Sequence, residues 1–257
     1  MQAQEKFPAF SAGGSALQLA PFSTARTMPT VLHAPQEMTL ASVQRDFVEW
    51  RKERSHYAVW AIDVDTPLLR SAIAAMRAHL ADCLLSDYRR QAHVTLHLCG
   101  FPVNLPCHDD DFLAATLQAQ ITDLQASAPT PFALKIGSPD SFSSAAYFSV
   151  DDSTGGILAA RRALAGNRNP DETFPYTPHV TCGLYRGEFS LPMLMQRMAT
   201  CETGLPVHLR IDRLTLMVYE AAIIGGPLSS VCEFDLATRQ IGVLDPTLMA
   251  RLFGQPP

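Results

Sequence analysis

The tripeptide His-Val-Thr occurs twice, in "QAHVTLHLCG" (91–100) and in "YTPHVTCGLY" (176–185), and this repeat constrains the fold more than any other feature. The second histidine follows the first by 86 positions (179 − 93), in a chain with only 8 histidines. Both copies lie in apolar, β-prone runs, so both read as strands. Residues i and i+2 of a strand share a face. His93 and Thr95 therefore point one way, as do His179 and Thr181, while Val94 and Val180 point to the core side. Each half offers an imidazole beside a hydroxyl.

The segments around each copy follow a similar order. "HYAVWAIDV" (56–64) reads as a strand, and "TPLLRSAIAAMRAHLADCLL" (66–85) as a helix capped by Thr66 with Pro67 in its first turn. "DDDFLAATLQAQITDLQA" (109–126) reads as a helix with acids at its positive end. "FALKIGSPDSF" and "AAYFSVD" form a strand pair turning at Gly-Ser-Pro-Asp, and "TGGILAARRALAG" (154–166) a helix ended by Gly166. "SLPMLMQRMATCE" is another helix, "VHLRIDRLTLMVYEA" holds one or two strands, and "SSVCEFDLA" is a last strand. Upstream, "TLASVQRDFVEWRKER" (39–54) has helical spacing at Val43, Phe47 and Trp50. The expected fold is α+β: two similar lobes of antiparallel sheet with outer helices, related by a pseudo-twofold axis around a central cleft. Residues 1–38 form an irregular extension, 39–240 the bilobal domain and 241–257 a tail.

Composition narrows the partners. With a net charge of −5, no global positive field gathers a polyanion, so any nucleic acid is recognised locally. The six cysteines are scattered without a C-x-x-C pair, which fits free thiols in a reducing compartment. No apolar run reaches the ~18 residues of a membrane span, and "MQAQEKFPAFSAGG" lacks the pattern of a secretory signal. A cytoplasmic monomer is expected, with no membrane partner.

Two imidazoles facing each other suit a phosphodiester. One takes a proton from the attacking oxygen while the other, protonated, gives one to the leaving oxygen. The threonine hydroxyls donate to the non-bridging oxygens. Neither a metal nor another cofactor is needed. Three rivals stand beside this reading. A metal hydrolase would use His93, His97 and His179 as ligands, although no carboxylate lies within the motifs. A thiol nucleophile would be Cys99, which by strict alternation shares the His93 face, or Cys182, which does not share that of His179. A non-catalytic RNA or nucleotide binder would keep the cleft alone.

Taken together, the motifs resemble those of the two-histidine (2H) phosphoesterase superfamily, in particular its bacterial 2′-5′ RNA ligase-like, RNA 2′,3′-cyclic phosphodiesterase branch. "HVTLHLCG" keeps His93, Thr95, Leu96 and Gly100 of a first motif, and Tyr176, Pro178, His179 and Thr181 match a second. The likeness covers about residues 56–236. It departs after Thr181, where Cys182, Gly183 and Leu184 precede Tyr185 and Arg186. The resemblance implies catalysis by His93, Thr95, His179 and Thr181 on RNA or oligonucleotide 2′,3′-cyclic phosphates, or on 2′-5′ bonds. Small cyclic or signalling nucleotides are the alternative substrates.

Alternation adds His97 (i+4 from His93) and Tyr185 (i+6 from His179) to the substrate-binding set, and Tyr176 and Arg186 flank the second motif. Arg89, Arg90, Arg161, Arg162 and Arg168 are further candidates for RNA phosphates. "DSTGGIL" (152–158) reads as a turn and cap rather than a phosphate loop.

Overall fold

The structure, a computed structural model, describes residues 38–166 and 176–254. Among these, ten strands form two sheets. The first has six strands and the second four, and every pairing is antiparallel except that of Phe101 and Pro102 with Asp111 and Phe112.

In the first sheet, β1 (His56–Asp63) lies between β2 (His93–Pro102) and β8 (Arg213–Glu220). Beyond β8 come β9 (Ser229–Asp235) and β10 (Ile241–Val243), and β3 (Asp111–Phe112) closes the opposite edge. The second sheet comprises β4 (Phe132–Ser141), β5 (Ala145–Asp151), β6 (His179–Leu184) and β7 (Val207–Ile211), in the order β6-β5-β4-β7. "VHLRIDRLTLMVYEA" is thus two strands that separate at Asp212 into different sheets, and the first lobe is completed only by the C-terminal strands.

Both sheets turn one face to a single continuous core. Trp60, Ile62, Val94 and Leu96 of the first join Ile136, Phe148 and Val180 of the second, with Leu69 and Met76 of α2 (Pro67–His79) and Leu124 of α3 (Ala114–Ser127). Trp60 is fully buried and its indole N–H donates to Gln120 Oε1 at 2.8 Å, so the polar edge of this large ring is satisfied. Each such buried apolar side chain contributes about 1.5–3 kcal/mol. The opposite face of the first sheet carries Tyr57, Val59 and Ala61, partly covered by Trp50 of the short α1 (Val48–Arg51).

Two bulges interrupt β2 against β1: Ala61 pairs with Thr95 but Trp60 with His97, and Val59 with Leu98 but Ala58 with Gly100. Leu96 and Cys99 are the extra residues. Strand β6 carries one bulge against β5, where Tyr147 pairs with Thr181 but Ala146 with Gly183, leaving Cys182 extra. The residue after each motif threonine is therefore a bulge in both lobes. This is the clearest mark of their pseudo-symmetry.

Gly100 ends the first motif because the main chain of Asp110 passes beside it. Its φ is +112°, and a Cβ there would lie 2.2 Å from the Asp110 carbonyl oxygen. That oxygen accepts from Phe101 N–H, which helps hold the parallel β2–β3 edge.

The structure revises four boundaries. The helix expected over 39–54 is only the four residues of α1, because Thr39, Leu40 and Ser42 instead bond to the main chain of Phe189, Ser143 and Tyr185. The acids of 109–111 do not cap α3: the Asp111 carboxylate accepts from the N–H groups of Cys107 and His108 and pairs with Arg54, and the helix starts at Ala114. Gly-Ser-Pro-Asp is a bulge inside β4 rather than its turn. In the expected tail, 241–257, β10 lies on the sheet edge and α6 (Pro246–Phe253) buries Leu248 and Leu252 in the core, while residues 255–257 lie outside the described residues. Residues 1–37 of the irregular extension lie outside the described residues.

Two helices cross the molecule. Helix α2 packs on β6, and α4 (Gly156–Leu164) packs on β2. Each comes from one half of the sequence and rests on the motif strand of the other. Asp152 caps α4, its carboxylate accepting from Gly156 and Ile157 N–H, as read from "DSTGGIL".

Candidate active site

His93 opens β2 and His179 opens β6. The Nδ1 of His93 lies 2.8 Å from the carbonyl of Gln91, and the Nδ1 of His179 lies 2.8 Å from that of Thr177. Each ring is held by the carbonyl two residues upstream. A carbonyl only accepts, so Nδ1 carries the hydrogen, and Nε2 bears the lone pair of the neutral ring in both. Thr95 pairs with Ala61 and Thr181 with Tyr147, putting each hydroxyl on the face of its own histidine.

The two motif strands are joined directly. The Tyr176 hydroxyl, three residues before His179, donates to the Thr95 carbonyl at 2.7 Å. Arg161 of α4 lies over the Tyr176 ring, 3.6 Å from its centre, and donates to the Leu96 carbonyl at 2.6 Å. On the other side Arg77 of α2 donates to the Cys182 carbonyl at 2.6 Å. Leu96 and Cys182 are the equivalent bulge residues, so each lobe sends an arginine to the carbonyl that the other lobe's bulge displaces from its ladder. A charged donor there is worth about 1.5–3 kcal/mol.

His179 has an aromatic wall. Phe142 meets its ring edge-on at 4.8 Å between centres and Tyr147 at 5.4 Å, while Phe142 and Tyr147 stack at 4.2 Å. The Tyr147 hydroxyl donates to Asp140 Oδ2 at 2.9 Å; burial, and then the neighbouring Asp140, push this phenol well above its ordinary range. Sequence reading misses Phe142, Tyr147 and Arg77. The pairing of Tyr147 with Thr181 brings the tyrosine to His179, the long-range ring contact alone brings Phe142 there, and nothing in the local pattern marks Arg77.

The structure separates the remaining candidates. His97 pairs with Trp60, on the core side of β1, not beside His93 and Thr95, because the Leu96 bulge reverses the alternation. Cys99 likewise packs against the core, with Sγ near Gln120. Tyr185 is fully buried, its hydroxyl bonded to Ser141 at 2.6 Å, so it offers a substrate no surface. Arg186 is exposed, but it lies two residues beyond Leu184, at the opposite end of β6 from His179. Tyr176 serves the lobe junction, one ring face taken by Arg161.

Arg90 is buried over the Tyr219 ring, and Arg161 is equally committed inside the protein. Arg89 and Arg162 are exposed. Arg168 lies outside the described residues.

Burial pushes the Cys99 and Cys182 thiols far up, away from the nucleophilic thiolate. Among the described residues, no group of three or more His, Cys, Asp or Glu side chains is placed to hold a metal ion. No helix among them is long and apolar enough to cross a membrane.

Residues 64–222 match the family described as the 2'-5' RNA ligase superfamily, a span that includes both motif strands and the helices crossing between them. The chain belongs to the 2'-5' RNA ligase superfamily. It is accordingly a chain of the 2H phosphoesterase type. Among solved structures, E. coli LigT complexed with 3'-AMP aligns over 71% of this chain and 98% of its own, at 13% identity and a TM-score of 0.43. LigT complexed with ATP aligns over 70% and 98%, at 15% identity and a TM-score of 0.41. TT0787 of Thermus thermophilus aligns over 70% and 97%, at 13% identity and a TM-score of 0.43. Among proteins with curated descriptions, none matches this superfamily chain in sequence.

Proposed function

We propose that the protein is a metal-independent phosphodiesterase that opens 2′,3′-cyclic phosphates at RNA or oligonucleotide ends to 2′-phosphates, or makes and breaks 2′-5′ linkages. One observation supports this most. Two equivalent strands each present a histidine whose Nδ1–H is taken by a backbone carbonyl, with a threonine two residues on along the same face.

In hydrolysis, one neutral Nε2 accepts a proton from water as its oxygen attacks phosphorus. The bond from phosphorus to the 3′ oxygen breaks, and the second imidazole, protonated on Nε2, gives its proton to that oxygen. The products are a 2′-phosphate and a free 3′-hydroxyl. Thr95 and Thr181 hydroxyls donate to the non-bridging oxygens as negative charge gathers on them. The hydrogen bond from each Nδ1 to its backbone carbonyl restrains the ring's rotation before substrate arrives. His93, Thr95, His179 and Thr181 are the residues assigned to the reaction.

Purified protein assayed against 2′,3′-cyclic nucleotides, RNA ending in a 2′,3′-cyclic phosphate, 2′-5′ dinucleotides and cyclic dinucleotides tests the proposal. Turnover of either of the first two classes, giving a 2′-phosphate, or of 2′-5′ bonds is expected. Turnover of cyclic dinucleotides alone would replace it with the signalling-nucleotide reading.

A further inference from the structure

On the second sheet a cavity of about 340 Å³, within the volume range of small-ligand sites, is lined in part by Ser149, the strand partner of His179. Its lining includes Lys135, Gly137, Ser138, Ser149, Asp151 and Thr203. Register ties it to the histidine. Ser149 pairs directly with His179, so it stands one strand away, about 4.8 Å, on the same face. Lys135 pairs with Asp151 on that face too, and lies two strands from His179, about 10 Å across the sheet. On its other side Lys135 pairs with the exposed His208 of β7.

The cavity offers hydroxyls and a bare glycine at its floor and a cation at its far side, while its near edge is the neighbour of a candidate catalytic imidazole. Those features match a nucleoside with a phosphate at each end. The recess lies where the β4 bulge at Gly137 and Ser138 follows the last β4–β7 pair, Ile136 with Val207.

We propose that this cavity is a nucleoside subsite: the nucleoside bearing the reacting phosphate lies against Gly137, Ser138 and Ser149, and Lys135 pairs with its 5′-phosphate. The assignment rests on the function proposed above, and it makes the site selective for a strand end over a free nucleoside cyclic phosphate. Asp151 beside Lys135 limits the attraction for anions that do not also fill the recess.

Calorimetric titration of the full chain with adenosine 2′-phosphate and with adenosine 2′,5′-bisphosphate tests it. The parent should bind the bisphosphate more tightly. Lys135→Gln, at an exposed position, should weaken the bisphosphate about five- to tenfold and the monophosphate less than about twofold. Thr203→Trp, which fills the recess from its rim, should weaken both. Equal loss on the two ligands with Lys135→Gln, no loss on either, or no binding of either by the parent overturns the subsite. Parent protein that discriminates the ligands through Lys135 yet turns over no cyclic phosphate or 2′-5′ bond refutes the proposed function and leaves the subsite standing. Turnover that is indifferent to Lys135 and to the 5′-phosphate does the reverse.

Discussion

The Tyr176 hydroxyl donates to the main-chain carbonyl of Thr95 across 2.7 Å, fastening the approach to one motif strand onto the other. Tyr176→Phe keeps the ring beneath Arg161 and removes only this bond. It should cost about 1 kcal/mol in urea unfolding. If the two imidazoles act on one phosphorus as proposed, turnover should fall further than substrate binding, because the bond ties the approach to one motif strand to the other. Unaltered kcat in a destabilised variant would restrict the bond to stability.

His93→Ala and His179→Ala should each lower turnover by several orders of magnitude while circular dichroism and melting stay close to the parent's. The parent should show a bell-shaped pH–rate profile with one limb for each imidazole. Near-parental rate in either variant removes the acid–base assignment.

Arg77 and Arg161 satisfy equivalent carbonyls, those of Cys182 and Leu96. Arg161→Met should destabilise by about 2–3 kcal/mol, because a buried acceptor loses its charged donor. The surviving activity should keep the parental pH profile at a lower kcat, as expected of a residue that positions the strand without exchanging protons. A changed profile would instead place Arg161 in contact with the reaction.

Cys107 is the exposed cysteine, and burial holds the Cys99 and Cys182 thiols in the protonated form. Iodoacetamide at neutral pH should label Cys107 first, read by mass spectrometry, with turnover retained. EDTA should leave turnover unchanged. Stoichiometric loss of activity on labelling, or loss restored by a divalent cation, would revive the thiol or metal alternative.

Asp111 is nearly inaccessible and pairs with Arg54, which lies 3.7 Å over the Phe101 ring. Burial alone would raise its carboxyl, but the N–H groups of Cys107 and His108 and the Arg54 guanidinium outweigh it and hold the native value low. As pH falls, the unfolded chain takes up this proton before the native one does. The stabilisation is therefore complete above the ordinary carboxylate range and is lost as acid approaches the lowered native value. Asp111→Asn should lower stability at neutral pH by about 2–3 kcal/mol, less than a fully broken buried pair because Asp110 still meets Arg54. It should also flatten the acid limb of a stability–pH curve, and an unchanged limb would show that Asp111 does not govern acid unfolding.

Local spacing alone settles the doubled His-Val-Thr strands, the face shared by each histidine and its threonine, the alternation of strands and helices, and the turn and cap over 152–158. These depend on intervals of a few residues, which the backbone period translates into direction. Tertiary structure decides what lies past the first bulge. An inserted residue at Leu96 or Cys182 reverses the alternation without any local signature, because a bulge exists only relative to the partner strand. Strict alternation consequently puts His97 and Cys99 on the wrong face, and Tyr185 in the cleft. Long-range pairing also sends β7 and β8 to different sheets and draws residues 241–253 into the first lobe. Arg77 and Arg161 cross to opposite bulge carbonyls for the same reason: a buried acceptor without a ladder partner takes whichever donor the fold brings to it.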